Sequence, residues 1–369
     1  MILRRIIHLV LLAAAVFTLV ITALNVSSAR SEGAFTNAKA ALGEKLYFEK
    51  RLSADGRVSC ASCHDPATAF ASQDTVSIGV RSIRGTRNVP TLLNVKFGTS
   101  FFWDGRARTL EEQAKQPLLN VAEMGLENEA ALVARLSAIP EYRNAFRKVF
   151  PREGITLNTV TAAIAAYERT LISNDSPFDR FIKGDQQALT TNQKAGWALF
   201  KGKGRCIECH VFSVSAPFFT DSQFYNTGIV AKGQEFGALS QKAAEVKMRK
   251  GSDSALLAHD AAFSEMGRFL VTQADKDIGA FKTPSLRDVE LTGPYMHNGS
   301  LRTLLDVVRF YNEGGRQNPN LNRKMRALDL SEKEMSDLVE FLRALTSDSV
   351  LRRVQSSTPQ TRAAIPLTP

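Results

Sequence analysis

Cysteine, histidine and tryptophan are scarce in this chain, whose 369 residues include four cysteines, five histidines and two tryptophans. All four cysteines lie in two short motifs, which leaves none for a wider disulfide framework. The chain also has no helix-turn-helix signal, no zinc-finger spacing and no dense cluster of lysine and arginine, so nothing indicates a nucleic-acid-binding module. With 44% apolar and 23% charged residues, the composition is that of a globular protein long enough for two domains.

The N-terminus has the charge and hydropathy pattern of an exported protein. Arg4 and Arg5 precede a mainly apolar run over residues 6–24, and small residues follow at positions 27–29. This order predicts an export signal over residues 1–30, and the run is long enough to stay as a membrane anchor if it is not cleaved. The body of the protein is therefore expected in a bacterial periplasm. The net charge of +10 is consistent with attraction to acidic partners and equally with solubility alone.

The two cysteine motifs have the same form, with two cysteines separated by two residues and followed directly by a histidine. They read VSCASCHDP at residues 58–66 and GRCIECHVF at residues 204–212. Disulfides and zinc are the alternatives, but the two pairs lie too far apart in the chain for a zinc ribbon. The five-residue form is the signature of covalent haem attachment, so we expect two c-type haems. Haem 1 is assigned Cys60, Cys63 and the iron ligand His64; haem 2 is assigned Cys206, Cys209 and the iron ligand His210.

Internal repeats indicate that each motif belongs to a module of its own. Gly43 and Gly196 open similar apolar segments before the two motifs, and AAYERTLIS at residues 165–173 resembles VEFLRALTS at residues 339–347. The spacing of apolar residues predicts a helix before each haem loop and a closing helix after it. We therefore predict a mainly α fold of two cytochrome c-like haem domains packed against each other. They are expected over residues 34–180 and 181–350, with a disordered tail over residues 351–369.

The middle of each module repeats at one constant spacing, which pairs Thr109 with Thr303 and Pro117 with Tyr311. Both threonines are expected to cap helices. A cytochrome c takes its second iron ligand from this segment, and the Tyr311 phenol can ligate iron, whereas Pro117 has no ligating atom. No histidine lies between the two motifs, so we expect an open, five-coordinate haem 1 and a closed, six-coordinate haem 2. The alternative is that Tyr311 is a core residue and that the ligand is Met266, Met296 or Met325.

At this point the chain resembles a known family, the bacterial di-haem cytochrome c peroxidases and their MauG-type relatives. The resemblance covers residues 38–348 and is carried by WDGRARTLEEQAKQPLLNVAEMG (103–125), FKTPSLRDVELTGPYMHNGSLRTL (281–304) and FYNEGG (310–315). It implies two haem c groups, a peroxide-binding haem 1 and a calcium ion between the domains. The residues implied are Gln113, Pro117 and Glu123 in the peroxide pocket, with Glu123 as general acid–base; Trp103 as electron relay between the haems; Tyr311 as the MauG-type ligand of haem 2; and Asn88, Thr292 and Pro294 as calcium ligands.

Three functions are compatible with these residues. The first is a periplasmic peroxidase that reduces hydrogen peroxide at haem 1 with electrons from a small cytochrome or cupredoxin, relayed through haem 2. The second is a MauG-type oxidase that uses peroxide to oxidise side chains of a partner protein. Tyr311 favours this second function, although Trp197 is expected in the core rather than as a surface relay. The third is a di-haem electron carrier, which Pro117 opposes because it leaves haem 1 open.

One segment within this range does not fit the family. Residues 230–265 insert a Lys- and Glu-rich, partly helical stretch that contains His259. A docking element is one interpretation of this insertion. We expect a solvated surface loop instead.

Overall fold

The computed structural model describes residues 36–215, 217–230, 235–248 and 253–357, and the predicted export signal lies outside them. The described chain is mainly helical, as predicted. Its helices are α1 (residues 36–47), α2 (Cys60–Cys63), α3 (Leu110–Leu119), α4 (Glu129–Ser137), α5 (Pro140–Val149), α6 (Leu157–Glu168), α7 (Pro177–Ile182), α8 (Thr191–Lys201), α9 (Phe236–Met248), α10 (Ser254–His259), α11 (Phe269–Thr272), α12 (Leu304–Asn312), α13 (Glu332–Arg343) and α14 (Asp348–Ser356). Two short antiparallel strands, β1 (Phe224–Tyr225) and β2 (Phe281–Lys282), pair Tyr225 with Phe281. Within the described ranges, no helix is long and apolar enough to cross a bilayer.

Each half of the chain has its own buried apolar cluster. The first joins α1, α3, α4, α5 and α6 through residues such as Leu46, Leu118, Leu132, Phe146 and Ile164. The second joins α7, α8, α12 and α13 through Phe178, Phe200, Val308, Leu338 and Phe341. Apolar side chains at helical spacing thus bury one face of each helix, which is the main source of stability for short helices.

The helix before each haem motif crosses the closing helix of its module at a glycine. A Cβ atom placed on Gly43 of α1 would lie 1.9 Å from the carbonyl oxygen of Ala163 in α6. A Cβ atom on Gly196 of α8 would lie 2.0 Å from the carbonyl oxygen of Asp337 in α13. Both crossings therefore need a residue without a side chain, and the repeat seen in the sequence has a structural counterpart in each half.

Two predicted boundaries differ from the structure. The predicted division at residues 180 and 181 falls inside α7, whose Phe178 is buried in the second cluster, so the second half begins at or before Pro177. The tail predicted from residue 351 begins later, because α14 continues to Ser356. Val350 and Val354 of α14 pack with Phe70 and Tyr47 of the first half, and this contact holds the helix in place. Residues 358–369 lie outside the described part of the chain.

Candidate functional site

Both cysteine–histidine motifs line one continuous cavity of about 430 Å³. The first motif forms the short helix α2, with Ser59 as N-cap residue and His64 directly after the helix. The second forms a tight turn over Cys206–Glu208, followed by Cys209 and His210. All four cysteines are unpaired, so the disulfide alternative has no support among the described residues.

The two motif histidines are oriented as iron ligands require. The Nδ1 of His64 lies 3.2 Å from the carbonyl oxygen of Phe70, and the Nδ1 of His210 lies 3.0 Å from that of Phe219. A carbonyl oxygen only accepts, so each Nδ1 carries the proton and each Nε2 keeps its lone pair for a metal. Burial lowers the pKa of His64 to about 4 and also lowers the pKa of His210, which keeps both rings neutral. Unpaired cysteines and oriented imidazoles in one cavity fit two covalently attached haems.

Cationic side chains in the cavity wall also fit a haem, which carries two propionates. Arg106, Lys282 and Lys324 line the cavity. Burial lowers the pKa of Lys282 to about 8. Its Nζ donates to the Thr283 carbonyl oxygen at 3.5 Å, and no ion pair joins it to a carboxylate of the described residues. The sequence analysis did not single out this lysine, because its lack of an anionic partner depends on the fold.

The helices α3 and α12 bring Pro117 and Tyr311 to the cavity from equivalent places. The Thr109 hydroxyl oxygen accepts from the amide of Glu112, and that of Thr303 accepts from the amide of Asp306, each at 3.1 Å. Both predicted N-caps are therefore confirmed. Pro117 and Tyr311 both line the cavity, each in the later part of its helix. Burial raises the pKa of the Tyr311 phenol well above its usual value, so this hydroxyl stays protonated unless a cation faces it.

The three methionines that rival Tyr311 are placed differently. Met266 is fully buried in an apolar cluster formed by the insertion and does not line the cavity. Met296 and Met325 do line it. Two of the three alternatives to Tyr311 therefore lie on the cavity wall.

The residues implied for the peroxide pocket come together in the cavity. Gln113 of α3 and Glu123, in the turn after α3, both line it. Burial raises the pKa of Glu123 to about 7, and the nearby Arg106 guanidinium opposes this shift. Asn120 Nδ2 donates to Glu123 Oε1 at 3.4 Å. A carboxyl that titrates near neutrality in an enclosed pocket is suited to general acid–base chemistry.

Trp103 lies in the same cavity wall and is tightly held. Its Nε1 donates to the backbone carbonyl of Asn88 at 2.8 Å, and its own carbonyl accepts from the amide of Lys282 at 2.8 Å. The ring of His297 meets the indole edge-on, with ring centroids 6.4 Å apart. Glu265, at the end of the insertion, lies 2.8 Å from His297 Nε2 and is nearly fully buried. These contacts fix the orientation of the indole. Glu265, from the distant insertion, contributes through His297.

The candidate calcium ligands Asn88, Thr292 and Pro294 all line the cavity. Asn88 is buried, and its Nδ2 donates to the carbonyl oxygens of Asp74 and Thr75, each at 3.4 Å. Its other side-chain atom, Oδ1, is of the type that calcium prefers. Among the described residues, no cluster of three or more His, Cys, Asp or Glu side chains could hold a metal ion. Calcium binding through one amide and two backbone carbonyls stays a prediction.

The insertion is not the solvated loop that we expected. Its described residues form α9 and α10, which bury Leu239, Ala243, Val246 and Ala258 against Phe269. The sequence analysis missed this because the charged residues conceal an amphipathic pattern split between two short helices. A packed cluster holds both helices, and the end of α10 reaches the cavity wall at Ala258 and His259.

His259, the last residue of α10, is the functional residue that the sequence analysis did not place. It lines the cavity, and its Nε2 lies 3.1 Å from Glu123 Oε1 and 3.5 Å from Arg106 Nη2. Burial, together with the cations Arg106 and Arg87, lowers the pKa of His259 to about 4. The scarcity of histidine was the signal available in the sequence, since few others follow the export signal.

Glu168 is a second buried acid that the sequence analysis overlooked. It lines the cavity on the side of Cys60, and its Oε2 has no hydrogen-bond partner in the described structure. Burial raises the pKa of Glu168 to about 8. The repeated segments place Glu168 of α6 opposite Leu342 of α13, which also lines the cavity. The signal available in the sequence was a glutamate at a position where the other module has an apolar residue.

Known proteins are similar to this chain over most of its length. The family model for di-haem cytochrome c peroxidases matches residues 37–187. The methylamine utilization protein MauG of Methylorubrum extorquens is 38% identical over 314 residues, which cover 85% of this chain and 79% of the relative. The cytochrome-c peroxidase IdrP1 of Denitromonas iodatirespirans is 38% identical over 86% of this chain and 83% of the relative. A solved structure of a MauG-like protein associated with microbial copper homeostasis has a TM-score of 0.71 and 33% identity, and the match covers 88% of this chain and 93% of that one.

Proposed function

This chain belongs to the family of di-haem cytochrome c peroxidases, which includes the MauG proteins, and we propose that it reduces hydrogen peroxide in the periplasm at an open haem 1. It is an oxidoreductase that acts on peroxide, as its cytochrome-c peroxidase relatives are named. The N-terminal pattern of Arg4 and Arg5 before an apolar run supports export. The electron donor we propose is a small cytochrome or cupredoxin.

The proposal rests on the difference between Pro117 and Tyr311. They occupy equivalent positions in α3 and α12, and both line the cavity. Cys60, Cys63 and His64 would hold haem 1, and Cys206, Cys209 and His210 would hold haem 2. Bound there, haem would supply an iron able to bind and reduce peroxide where a coordination position is free, and able to store an electron where protein ligands fill them all. Pro117 offers no ligand and leaves room for peroxide, whereas Tyr311 offers a phenolate oxygen.

Glu123, assisted by its neighbours, transfers a proton of bound peroxide. The ionised carboxylate can accept a proton from the inner peroxide oxygen and pass it to the outer one, which then leaves as water. Arg106, whose guanidinium is fixed by Asp104 at 2.8 Å, supplies positive charge beside this carboxylate. Gln113 lines the same pocket with an amide that can donate to a peroxide oxygen. These three side chains bind and orient the substrate.

A MauG-type oxidation of a partner protein is the second candidate, and Tyr311 favours it. A phenolate ligand stabilises ferric iron and would make haem 2 a poorer acceptor for electrons from ordinary cytochromes. Trp197 is partly exposed, but it packs against Phe178 and Phe341, with ring centroids 4.9 and 5.1 Å away, and it does not line the cavity, so it gives no direct contact between a haem and the surface. The peroxidase therefore remains our first proposal.

Two measurements test the proposal. Cyanide added to the ferric holoprotein should bind to one haem and leave the spectrum of the other unchanged. Steady-state oxidation of a reduced small cytochrome c by peroxide should then proceed at a rate set by enzyme concentration. Cyanide binding to neither haem would contradict an open haem 1. Cyanide binding without turnover of reduced cytochrome would favour the MauG-type oxidation instead.

A further inference from the structure

Each motif histidine begins a short segment, here called the histidine loop, that ends at a phenylalanine. In the first half the loop runs from His64 to Phe70, whose carbonyl oxygen lies 3.2 Å from His64 Nδ1. In the second half it runs from His210 to Phe219, and the same distance is 3.0 Å. The two phenylalanines have φ angles of 57° and 54°, in the left-handed region that residues with a side chain rarely adopt. Such a backbone conformation persists only where the surrounding packing holds it.

Each histidine loop is packed by the helix that follows the closing helix of the other module. α7 follows α6 of the first module, and its Phe178 packs against Phe219 with ring centroids 5.6 Å apart. α14 follows α13 of the second module, and its Val350 belongs to the buried cluster that contains Phe70. The guanidinium of Arg353 in α14 also lies over the Phe70 ring, 5.4 Å from the centroid. The two modules therefore exchange the helices that pack on their histidine loops.

The two exchanged segments meet at a buried, hydrogen-bonded point that follows the internal repeat. Ser173 and Ser347, the last residues of the two similar segments, have their hydroxyl oxygens 2.5 Å apart. The amide of Ser173 donates to Asn94 Oδ1 at 2.9 Å, and that of Ser347 donates to Asp288 Oδ1 at 2.8 Å. Asn94 and Asp288 are themselves paired by the constant spacing of the repeat. All four residues are fully buried, so α14 starts from a fixed point between the modules.

The two loops differ in how their phenylalanine is held. Beside the ring of Phe219 lies the buried guanidinium of Arg287, 5.7 Å from the centroid. Arg287 is fixed by Asp179 of α7 through two hydrogen bonds of 2.6 and 2.7 Å. On the haem 1 side, Arg353 is exposed to solvent. The contact of α14 with its loop can therefore be altered from the surface, without a change inside the second cluster.

We propose that α14 positions the iron ligand of haem 1, with Val350 and Arg353 as positioning residues that act through Phe70. Their packing on the Phe70 ring holds its carbonyl oxygen against His64 Nδ1, so that Nε2 keeps its lone pair for iron. A hydrogen bond from Nδ1 also raises the basicity of the imidazole as a ligand. A helix of the second module thereby sets the ligand strength of the first. This inference goes beyond the proposed function, because it applies equally to a peroxidase and to a MauG-type oxidase.

The vibration of the iron–histidine bond tests this role in the full-length protein with both haems attached. Resonance Raman spectra of the ferrous protein show this band for a five-coordinate haem, which is haem 1. In Val350→Ala and in Arg353→Ala we expect the band to move to lower frequency, because a weakened Nδ1 hydrogen bond makes the imidazole a weaker ligand. If Val350→Ala fails to fold, Arg353→Ala decides, since its side chain is exposed.

The midpoint potential of each haem is a second readout. It should rise for haem 1 in Val350→Ala and Arg353→Ala, since a weaker ligand stabilises ferric iron less, and it should stay unchanged for haem 2. Val149→Ala is the matched control, because it makes the same change at a buried position of the first cluster that does not line the cavity. Gln355→Ala is the control for exposed positions of α14. Neither control should move the band or either potential.

A shift of haem 1 alone in either α14 variant supports the proposal. It is overturned if neither variant changes the band or the haem 1 potential, if Val149→Ala changes them equally, or if the haem 2 potential moves as far as that of haem 1. Failure of the proposed function is a separate result. Wild type would then lack the iron–histidine band, because haem 1 would be closed, and the haem 1 potential would still test α14.

Discussion

Glu123 shows how the environment of one carboxyl adapts it to chemistry at neutral pH. Burial raises its pKa to about 7 and Arg106 opposes the shift, while His259 lies within hydrogen-bonding distance. A solvent-exposed glutamate would be fully ionised and hydrated at this pH. A carboxyl with such a pKa is suited to accept a proton and to return it.

The first prediction concerns this carboxyl. Glu123→Gln should lower kcat/KM for peroxide about 100-fold or more, because the amide cannot accept a proton. In wild type, kcat/KM should rise with pH through about 7, since below the raised pKa Glu123 is protonated and cannot act as the base. Stopped-flow kinetics across this pH range check both statements. A profile that is flat in wild type, or unaltered in the variant, would remove Glu123 from this role.

The second prediction concerns the ligand of haem 2. Low-temperature EPR of the ferric protein should show one high-spin and one low-spin haem. Tyr311→Phe should alter the low-spin signal alone, because it removes the phenolic oxygen. Met296→Leu and Met325→Leu are the controls, since both methionines line the same cavity. If a methionine variant changes the low-spin signal and Tyr311→Phe does not, the assignment passes to that methionine. Two low-spin signals in wild type would mean that haem 1 is closed.

At the scale of helices, the repeated module depends on close helix crossings. α8 and α13 approach each other at Gly196, and α1 and α6 approach at Gly43. In each case a backbone carbonyl of the closing helix occupies the space that a Cβ atom on the glycine would need. The helix that leads into a haem motif is therefore held at a set distance from the helix that closes the module.

The third prediction tests this crossing. Gly196→Ala should lower the free energy of unfolding by about 1–3 kcal/mol, as overpacking usually does. Gly237→Ala in α9 is the matched control, because no atom lies within 4 Å of the added methyl group. There the change should be neutral or stabilising by up to about 1 kcal/mol, since alanine favours helix. Denaturant midpoints of the holoproteins measure both. Equal stability of the two variants would show that α8 can move away from α13 at little cost.

At the scale of the whole molecule, net charge is the property that bears on an encounter with the proposed redox partner. The chain has a net charge of +10, and such a surface attracts acidic proteins over distances near the Debye length. The sequence alone left open whether this charge has a function or only confers solubility.

The fourth prediction separates these two interpretations. With an acidic reduced donor protein, kcat/KM for the donor should fall about tenfold between ionic strengths of about 10 and 150 mM. With a small neutral reductant it should hardly change, which is the control. Equal salt dependence for both donors would mean that the positive charge does not steer the partner. Steady-state assays at constant pH are sufficient.

Local sequence determined much of this protein. The cysteine–histidine spacing predicts two haem-attachment sites, the apolar spacing predicts amphipathic helices, and Thr109 and Thr303 begin two of them as predicted. Each of these features depends on residues only a few positions apart, so it can be recognised in a single sequence. The internal repeat also related two residues that are far apart in the chain, because it paired Pro117 with Tyr311. Both residues line the cavity.

Only the tertiary structure decided which distant residues meet in the pocket. His259 reaches Glu123 from an insertion that seemed to be a loop, and Glu265 reaches His297 beside Trp103 from the same segment. Burial, which sets the pKa values of Glu123, Glu168 and Lys282, likewise arises from elements far apart in the chain. Hydrogen bonds and desolvation act through space, whereas sequence patterns report only what lies nearby along the chain.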